Sequence, residues 1–338
     1  LAPRADIALP RLVGLDGMHD LVVGPSSRSA SRITFGGSAG NGRRGYRPGA
    51  GTRGTPVVDG TRVDVEWVDV TWVVGTMGAM TDFLSFSDEG AVRTLVMSNP
   101  GRMNAVAPES WLELATAFED FEASSMRSLV LTGADGQFCA GADLGEGAFS
   151  PSAAGNAEHM RTAVNRAAYA LHRTTKPTVA AVDGVAVGAG MNLALGCDIV
   201  IATTRARFSE VVARRGLTMD FGGTGLLPRL VGLARARELA LTGRIVGADE
   251  ALEIGLVVEV VEAEMLAGRA SELGAELAAG APLAQAVLKR ALDRSSEMSF
   301  EQALAFEEQA QAMLLSSEDF LEGVAAFLQR RAPDFKGR

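Results

Sequence analysis

Two glycine-rich segments carry the residues best suited to chemistry in this chain. The first is Gly136-Gln-Phe-Cys-Ala-Gly-Ala-Asp-Leu144. The second is Asp183-Gly-Val-Ala-Val-Gly-Ala-Gly-Met-Asn-Leu193. Each follows a run with the character of a buried strand, and the second leads into a helical pattern. Small residues let backbone approach a ligand closely, and glycine reaches positive φ without steric cost. A helix start leaves N–H groups without intrahelical acceptors, at the positive end of aligned peptide dipoles. Two such turns facing each other would aim two N–H groups at one oxygen, an arrangement suited to a carbonyl on which negative charge develops. Either turn alone reads as a tight strand-to-helix connection with small residues for packing. Neither matches the dinucleotide fingerprint or the phosphate-binding P-loop.

Regular elements must hold these turns, and the pattern becomes regular from about Thr81. Ala91 to Met97 alternates as a strand does, and Asn99-Pro-Gly101 breaks it. Ser110 to Ala123 has helical spacing, with Trp111, Leu112, Leu114, Ala117 and Phe118 on one face. Ser128 to Thr132, Thr178 to Asp183 and Asp198 to Ala202 read as buried strands. Ala157 to Arg173 and Met191 to Leu195 read as helices. Beyond Gly222 the pattern is mostly helical, over Thr224–Val231, Ala234–Thr242, Ala248–Ile254, Glu264–Ala279, Leu283–Asp293, Phe300–Leu315 and Ser317–Arg330. Strands alternating with helices, then a helical tail, predict an α/β domain with parallel strands.

The bulk properties narrow the function classes. The 338 residues are 47% hydrophobic and 22% charged, which suits a globular core. A net charge of −9 disfavours non-specific nucleic-acid binding, although a local positive field still admits an anionic small ligand. Cys139 and Cys197 show neither metal spacing nor a disulfide framework, which fits a reducing cytoplasm. His19, His159 and His172 are too scattered to form a cluster, and no metal is expected. No apolar run is long enough to predict a membrane span. Gly24 to Gly54 is rich in Gly, Ser and Arg without an acid, a composition that predicts disorder. Residues 1–79 are therefore read as a disordered or non-native extension, with a native start expected at Met77 or Met80. The core is expected over 80–270 and a helical region over 271–338.

Several motifs, taken in order, resemble the enoyl-CoA hydratase/isomerase (crotonase) family. They are Asn99-Pro100 with Asn104-Ala105, Val130-Leu-Thr-Gly133 with Phe138 to Leu144, and Gly184 to Asp198. Gly222-Gly-Thr224, Leu227 to Gly232, Leu241-Thr-Gly243, Ala248 to Val258, Glu322 to Phe327 and Phe335-Lys336 continue the match, which runs from roughly Thr81 to Arg338. The resemblance implies a crotonase-like ββα spiral core with a C-terminal helical oligomerisation region. It implies an acyl-CoA thioester substrate, with coenzyme A as part of that substrate and no separate cofactor. It implies homotrimers, often paired into hexamers. By position, the two oxyanion N–H groups fall on Ala142 and Ala189. Ala140 falls beside the adenine, and Arg330 where the family often has a basic residue near the CoA phosphates. Asp143, Leu144, Gly188 and Asn192 complete the expected substrate-binding set, with Asp143 holding the oxyanion loop.

The sequence departs from a hydratase at both water-handling glutamates. Their positions hold Asn192 and Val212, neither of which can act as a base. Asp220, in Leu217-Thr-Met-Asp-Phe-Gly-Gly-Thr224, falls where the family's double-bond isomerases and its epoxyphenylacetyl-CoA isomerase often put their acid/base carboxylate. A structural alternative is that Asp220 caps the following helix or turns the loop. Glu210 is expected to face the surface. The activity this favours is isomerisation of an enoyl-CoA double bond with Asp220 as acid/base. The alternatives are a hydratase, hydrolase or lyase of the same family, and a catalytically silent scaffold.

Overall fold

The computed structural model describes residues 83–145 and 148–338, together with a short hairpin of β1 (Val57–Val58) and β2 (Thr61–Arg62). The hairpin belongs to a separate unit, residues 1–69. The expected disordered stretch 24–54 and the expected start at Met77 or Met80 lie outside the described residues.

Six strands form the main sheet. β3 (Leu84–Glu89) and β4 (Val92–Met97) form an antiparallel hairpin. β5 (Ser128–Gly133), β6 (Thr178–Val182), β8 (Ile199–Thr203) and β11 (Glu259–Val261) extend it in parallel, giving the order β11-β8-β6-β5-β4-β3. The sheet is therefore mixed, because β3 returns antiparallel along the edge. A smaller sheet pairs β7 (Val185–Val187) in parallel with β9 (Arg207–Ser209), which pairs antiparallel in turn with β10 (Val246–Gly247).

Strand alternation divides the core. Leu95, Met97, Leu131, Ala180 and Val182 point to one face and join the larger cluster. Val92, Val130, Val179, Ala181 and Ile201 point to the other. The first face is covered by α1 (Ser110–Ala123), whose Trp111, Leu114, Phe118 and Phe121 recur at helical spacing and are all buried. Burying one such aromatic ring contributes about 2 kcal/mol. A long helical stretch packs beside α1. It comprises α2 (Ala153–His159), a π-helical turn over Met160–Val164 and α3 (Asn165–Arg173).

α4 (Ala189–Leu195) is fully buried, and α5 (Gly223–Val231), α6 (Leu233–Thr242) and α7 (Ala248–Glu253) follow. The second face of the sheet is closed by α8 (Leu266–Ala279), where Ser128 Oγ donates to the Gly274 carbonyl at 2.7 Å. α9 (Pro282–Arg294), α10 (Phe300–Leu314) and α11 (Glu318–Gln329) form the C-terminal region. Its tail is fastened by the buried Asp319 carboxylate, which accepts from the N–H groups of Lys336 at 2.6 Å and Gly337 at 2.8 Å.

Candidate functional site

The two glycine-rich turns meet through main-chain bonds. Cys139 N donates to Val185 O at 2.9 Å, and Val187 N donates to Cys139 O at 3.0 Å. The other side of the first turn pairs with Val106. Val106 N donates to Gly141 O, and Asp143 N donates to Val106 O, both at 2.8 Å. This pairing leaves the intervening Ala142 N–H without an acceptor among the described residues. Ala189 opens α4, and its N–H also has no acceptor among the described residues. The N–H of Gly188 is occupied instead, donating to Ser209 O at 2.8 Å.

The turns are in close contact because their side chains are small. Gly141 has φ +91°, and a Cβ there would lie 2.6 Å from Val187 O and 3.5 Å from Ala189 N. Backbone at 141 therefore lies against the start of α4. A Cβ on Gly190 would overlap the Cys139 carbonyl. Asp183, which follows β6 and opens the second turn, is anchored by Arg205, by the Thr203 hydroxyl at 2.7 Å and by its own successor's N–H at 2.9 Å. Burial pushes the Asp183 carboxyl up, but these donors outweigh it and hold it below the usual range.

A cleft of about 430 Å³ opens beside Ala142. Trp111, Leu144, Phe149, Met160 and Phe221 give it apolar walls, and the Trp111 and Phe221 rings lie 5.6 Å apart. The π-helical turn brings both Met160 and Val164 to this wall. Such turns recur at functional sites because the extra residue re-aims side chains.

Asp220 lines the same cleft. Its Oδ1 is buried without a hydrogen-bond partner. It does not cap α5: the N-cap is Gly222, and no side chain caps that helix. The main chain of Asp220 makes the local turn instead, its carbonyl accepting from Gly223 N at 2.9 Å. Burial pushes the Asp220 carboxyl up to about 6, while its own N–H and the nearby Asn192 amide pull the other way. At neutral pH the group is mostly ionised, yet basic enough to accept a proton.

Asn192 is fully buried on α4, and its Nδ2 donates to the Asp220 carbonyl at 3.1 Å. Its Oδ1 has no partner. Val212 fills space at the second turn, with Cγ1 3.5 Å from the position of a Cβ on Gly188.

Glu210 corrects an expectation. It was expected to face the surface, yet it is 1% exposed, and neither carboxylate oxygen has a partner. The reason is the path of the chain: Phe208, Ser209 and Glu210 are buried in succession as β9 runs into a 3-10 turn. The Gly188–Ser209 bond carries the chain inward at that point. Burial, and then the charge of Asp220, push Glu210 up to about 8, against the pull of the Asn192 amide.

The remaining expected residues fall as follows. Leu144 and Asp143 line the cleft, and Asp143 Oδ1 accepts from Gly145 N at 2.8 Å and Arg102 at 3.2 Å, so it fixes the loop. Ala140 follows Cys139 in the first turn, and its N–H donates to Met103 O at 2.9 Å. Gly188 immediately precedes α4. Arg330 is exposed at the C-terminal end of α11 and is not among the residues lining this cleft. Cys139 is a buried packing residue, its thiol pushed up to about 12 by burial.

A mixed sheet carries two small-residue turns, and an apolar cleft bearing one acid opens beside the first of them. The enoyl-CoA hydratase/isomerase profile matches residues 87–338. The chain belongs to the enoyl-CoA hydratase/isomerase family, whose enzymes act on CoA thioesters. It is 38% identical to the 1,2-epoxyphenylacetyl-CoA isomerase of Escherichia coli K12, covering 77% of this chain and all of that protein. It is 36% identical to the short-chain-enoyl-CoA hydratase of Clostridium acetobutylicum, over 74% of this chain and 96% of that one. The structure of a putative enoyl-CoA hydratase from Streptomyces coelicolor A3(2) superposes with a TM-score of 0.72 at 32% identity, covering 79% of this chain and all of that one. Among the described residues, no helix is long and apolar enough to cross a membrane.

Proposed function

We propose that this enzyme shifts a carbon–carbon double bond in an enoyl-CoA, with Asp220 as the acid/base. The thioester carbonyl oxygen sits between the N–H groups of Ala142 and Ala189. That contact stabilises the enolate formed when a carbon-bound proton leaves, and losing one such donor costs about 3 kcal/mol of transition-state stabilisation. The Asp220 carboxylate takes the proton from the carbon next to the carbonyl. It returns a proton, which exchanges with solvent while held on the carboxyl, to the carbon two positions further along as the electron pair of the enolate moves. No water is consumed, and the atoms balance.

One observation carries this reading. Asp220 faces the cleft with an unpartnered carboxylate oxygen, while the two positions that would hold and activate water carry Asn192 and Val212. The apolar and aromatic walls support an acyl group that is itself apolar or aromatic. The test is to assay 3-enoyl-CoA isomerisation beside 2-enoyl-CoA hydration, in the native protein and in Asp220→Asn. Isomerisation that persists at the parental rate in the variant removes the assignment.

A second reading, hydration of 2-enoyl-CoA with Asp220 handling water, draws support from the hydratases among the relatives. Hydration outpacing isomerisation in the same assay would favour it. Failure to bind any acyl-CoA by calorimetry would leave only the silent scaffold. The exposed Phe300, Phe327 and Leu328 on α10 and α11 support packing of these helices between copies of the chain, in a trimer or a hexamer. Light scattering reads that mass directly.

A further inference from the structure

The cluster behind the cleft poses an accounting problem. Asn192 Oδ1, both oxygens of Glu210 and Asp220 Oδ1 are buried and make no hydrogen bond, the nearby Asn192 Nδ2 being directed to the Asp220 carbonyl. The Asn192 amide is oriented by its Nδ2 bond to the Asp220 carbonyl, so Oδ1 is presented as an acceptor. Four buried acceptors without a hydrogen bond are costly, since each loses its water partners and gains none in return. A proton on one of the carboxyls turns an acceptor into a donor and relieves part of that cost.

Glu210 is the natural holder of that proton. It is 1% exposed and is not among the cleft-lining residues, whereas Asp220 reaches the cleft. The groups around it supply no compensating cation. α4 contributes only uncharged residues, with Asn192 the polar one. The loop before α5 contributes Asp220, a like charge, and the first glycine-rich turn contributes the neutral Cys139 thiol. The 3-10 turn over Val211–Arg215 carries Arg214 and Arg215, both exposed, and Arg214 Nε is engaged by Thr242 O at 2.5 Å. Facing that turn, α6 carries Arg235, Arg237 and Glu238, all exposed, with Glu238 held by Arg244. None of these cations is paired with Glu210.

We propose that Glu210 is a positioning residue of this site: a protonated carboxylic acid, buried behind Asp220, whose proton holds Asn192 and Asp220 in their working arrangement. The direction in which burial and Asp220 push its titration agrees with this. Two acids this close titrate as a pair, the outer one ionised as base and the inner one neutral. Ionising the inner acid would place two negative charges side by side in an apolar setting and break the arrangement. The role of Glu210 in turnover rests on the isomerase reading of Asp220, but its protonation does not.

The test uses the full chain and reads the two ideas separately. Infrared difference spectra of the native protein minus Glu210→Gln should show a protonated carboxylic-acid carbonyl band at neutral pH that is lost as pH rises past about 8. In Asp220→Asn the same band should titrate at lower pH, because the neighbouring negative charge is gone. A purely structural Glu210 would not move in that variant. In kinetics, Glu210→Gln should lose the alkaline limb of the kcat/KM profile and keep the acid limb. Glu210→Ala should lose turnover more than tenfold, with Gln restoring most of it.

A carboxylate signature for Glu210 at neutral pH, or a transition unmoved in Asp220→Asn, overturns the proposal. A native alkaline limb in Glu210→Gln also overturns it. If Asp220→Asn retains isomerase activity while the acid band behaves as described, the isomerase reading fails and the buried acid stands.

Discussion

Asn192 Nδ2 donates to the main-chain carbonyl of Asp220 at 3.1 Å, tying the helix of the second glycine-rich turn to the loop that carries the proposed base. The family resemblance implies a glutamate at this position in a hydratase, whereas Asn192 here serves as a fastener. Asn192→Ala removes this buried bond and leaves a small cavity. It should cost about 1–3 kcal/mol, a fall in Tm of several degrees, and should lower kcat more than it raises KM. Calorimetry and steady-state kinetics check both parts. An effect on KM alone would show that the tie does not position the base.

The ionisation of Asp220 predicts the acid limb of the rate profile. Its carboxyl, pushed up to about 6 by burial, must be ionised to take a proton. The value of kcat/KM should therefore fall about tenfold per pH unit below that point. Asp220→Asn should abolish this limb and lower kcat by roughly 10²–10⁴-fold, with a smaller change in KM.

Contact between the two turns predicts a severe effect from one methyl group. Gly190→Ala places a Cβ into the Cys139 carbonyl, a main-chain atom that cannot step aside. The turns must separate, moving the N–H groups of residues 142 and 189 apart. Activity should drop by at least about 100-fold, comparable to losing one oxyanion donor. Acyl-CoA affinity, measured by calorimetry, should weaken far less. Native-like turnover in Gly190→Ala would show that the turns need not touch.

The buried acid also predicts how stability varies with pH. The carboxyl of Glu210 titrates at about 8 in the folded chain, against an ordinary value of about 4.5. Between those values the folded state holds a proton that the unfolded state has released. Stability from this group is thus fully present below about 4.5 and is lost as pH rises toward about 8. Glu210→Gln removes the dependence. Its stability relative to the native chain should rise by on the order of 3–5 kcal/mol between about pH 5 and about pH 9. Urea unfolding at both pH values measures the difference.

Much of this architecture was legible in the sequence because periodicity reports burial. Helix α1 was read with its exact bounds from Trp111, Leu114 and Phe118, and the parallel strands β5, β6 and β8 stood out as continuous apolar runs. The short strands did not. β7 has three residues inside a glycine-rich stretch, and β9 and β10 are shorter than any periodic signal. The edge strand β3, Leu-Ser-Phe-Ser-Asp-Glu, is too polar for an apolar run, so the antiparallel return went unread.

In the site, the two turns and Asp220 were visible as motifs. Glu210 was not, because a charged residue in a loop is ordinarily solvated. No periodic signal marked it, because Phe208, Ser209 and Glu210 are buried in succession rather than alternately. The cost of leaving its oxygens unpaired is a property of three-dimensional packing and has no sequence signature.

The central claim is that Asp220 moves a carbon-bound proton while two main-chain amides steady the enolate. Exchange of substrate carbon-bound hydrogen for solvent deuterium, followed by NMR on a 3-enoyl-CoA in D2O, observes that step itself. The account predicts deuterium entering beside the thioester carbonyl of the substrate and two carbons further along in the product with the native enzyme, and none above background with Asp220→Asn. Equal exchange in both proteins, with both folded and binding the thioester, would contradict it.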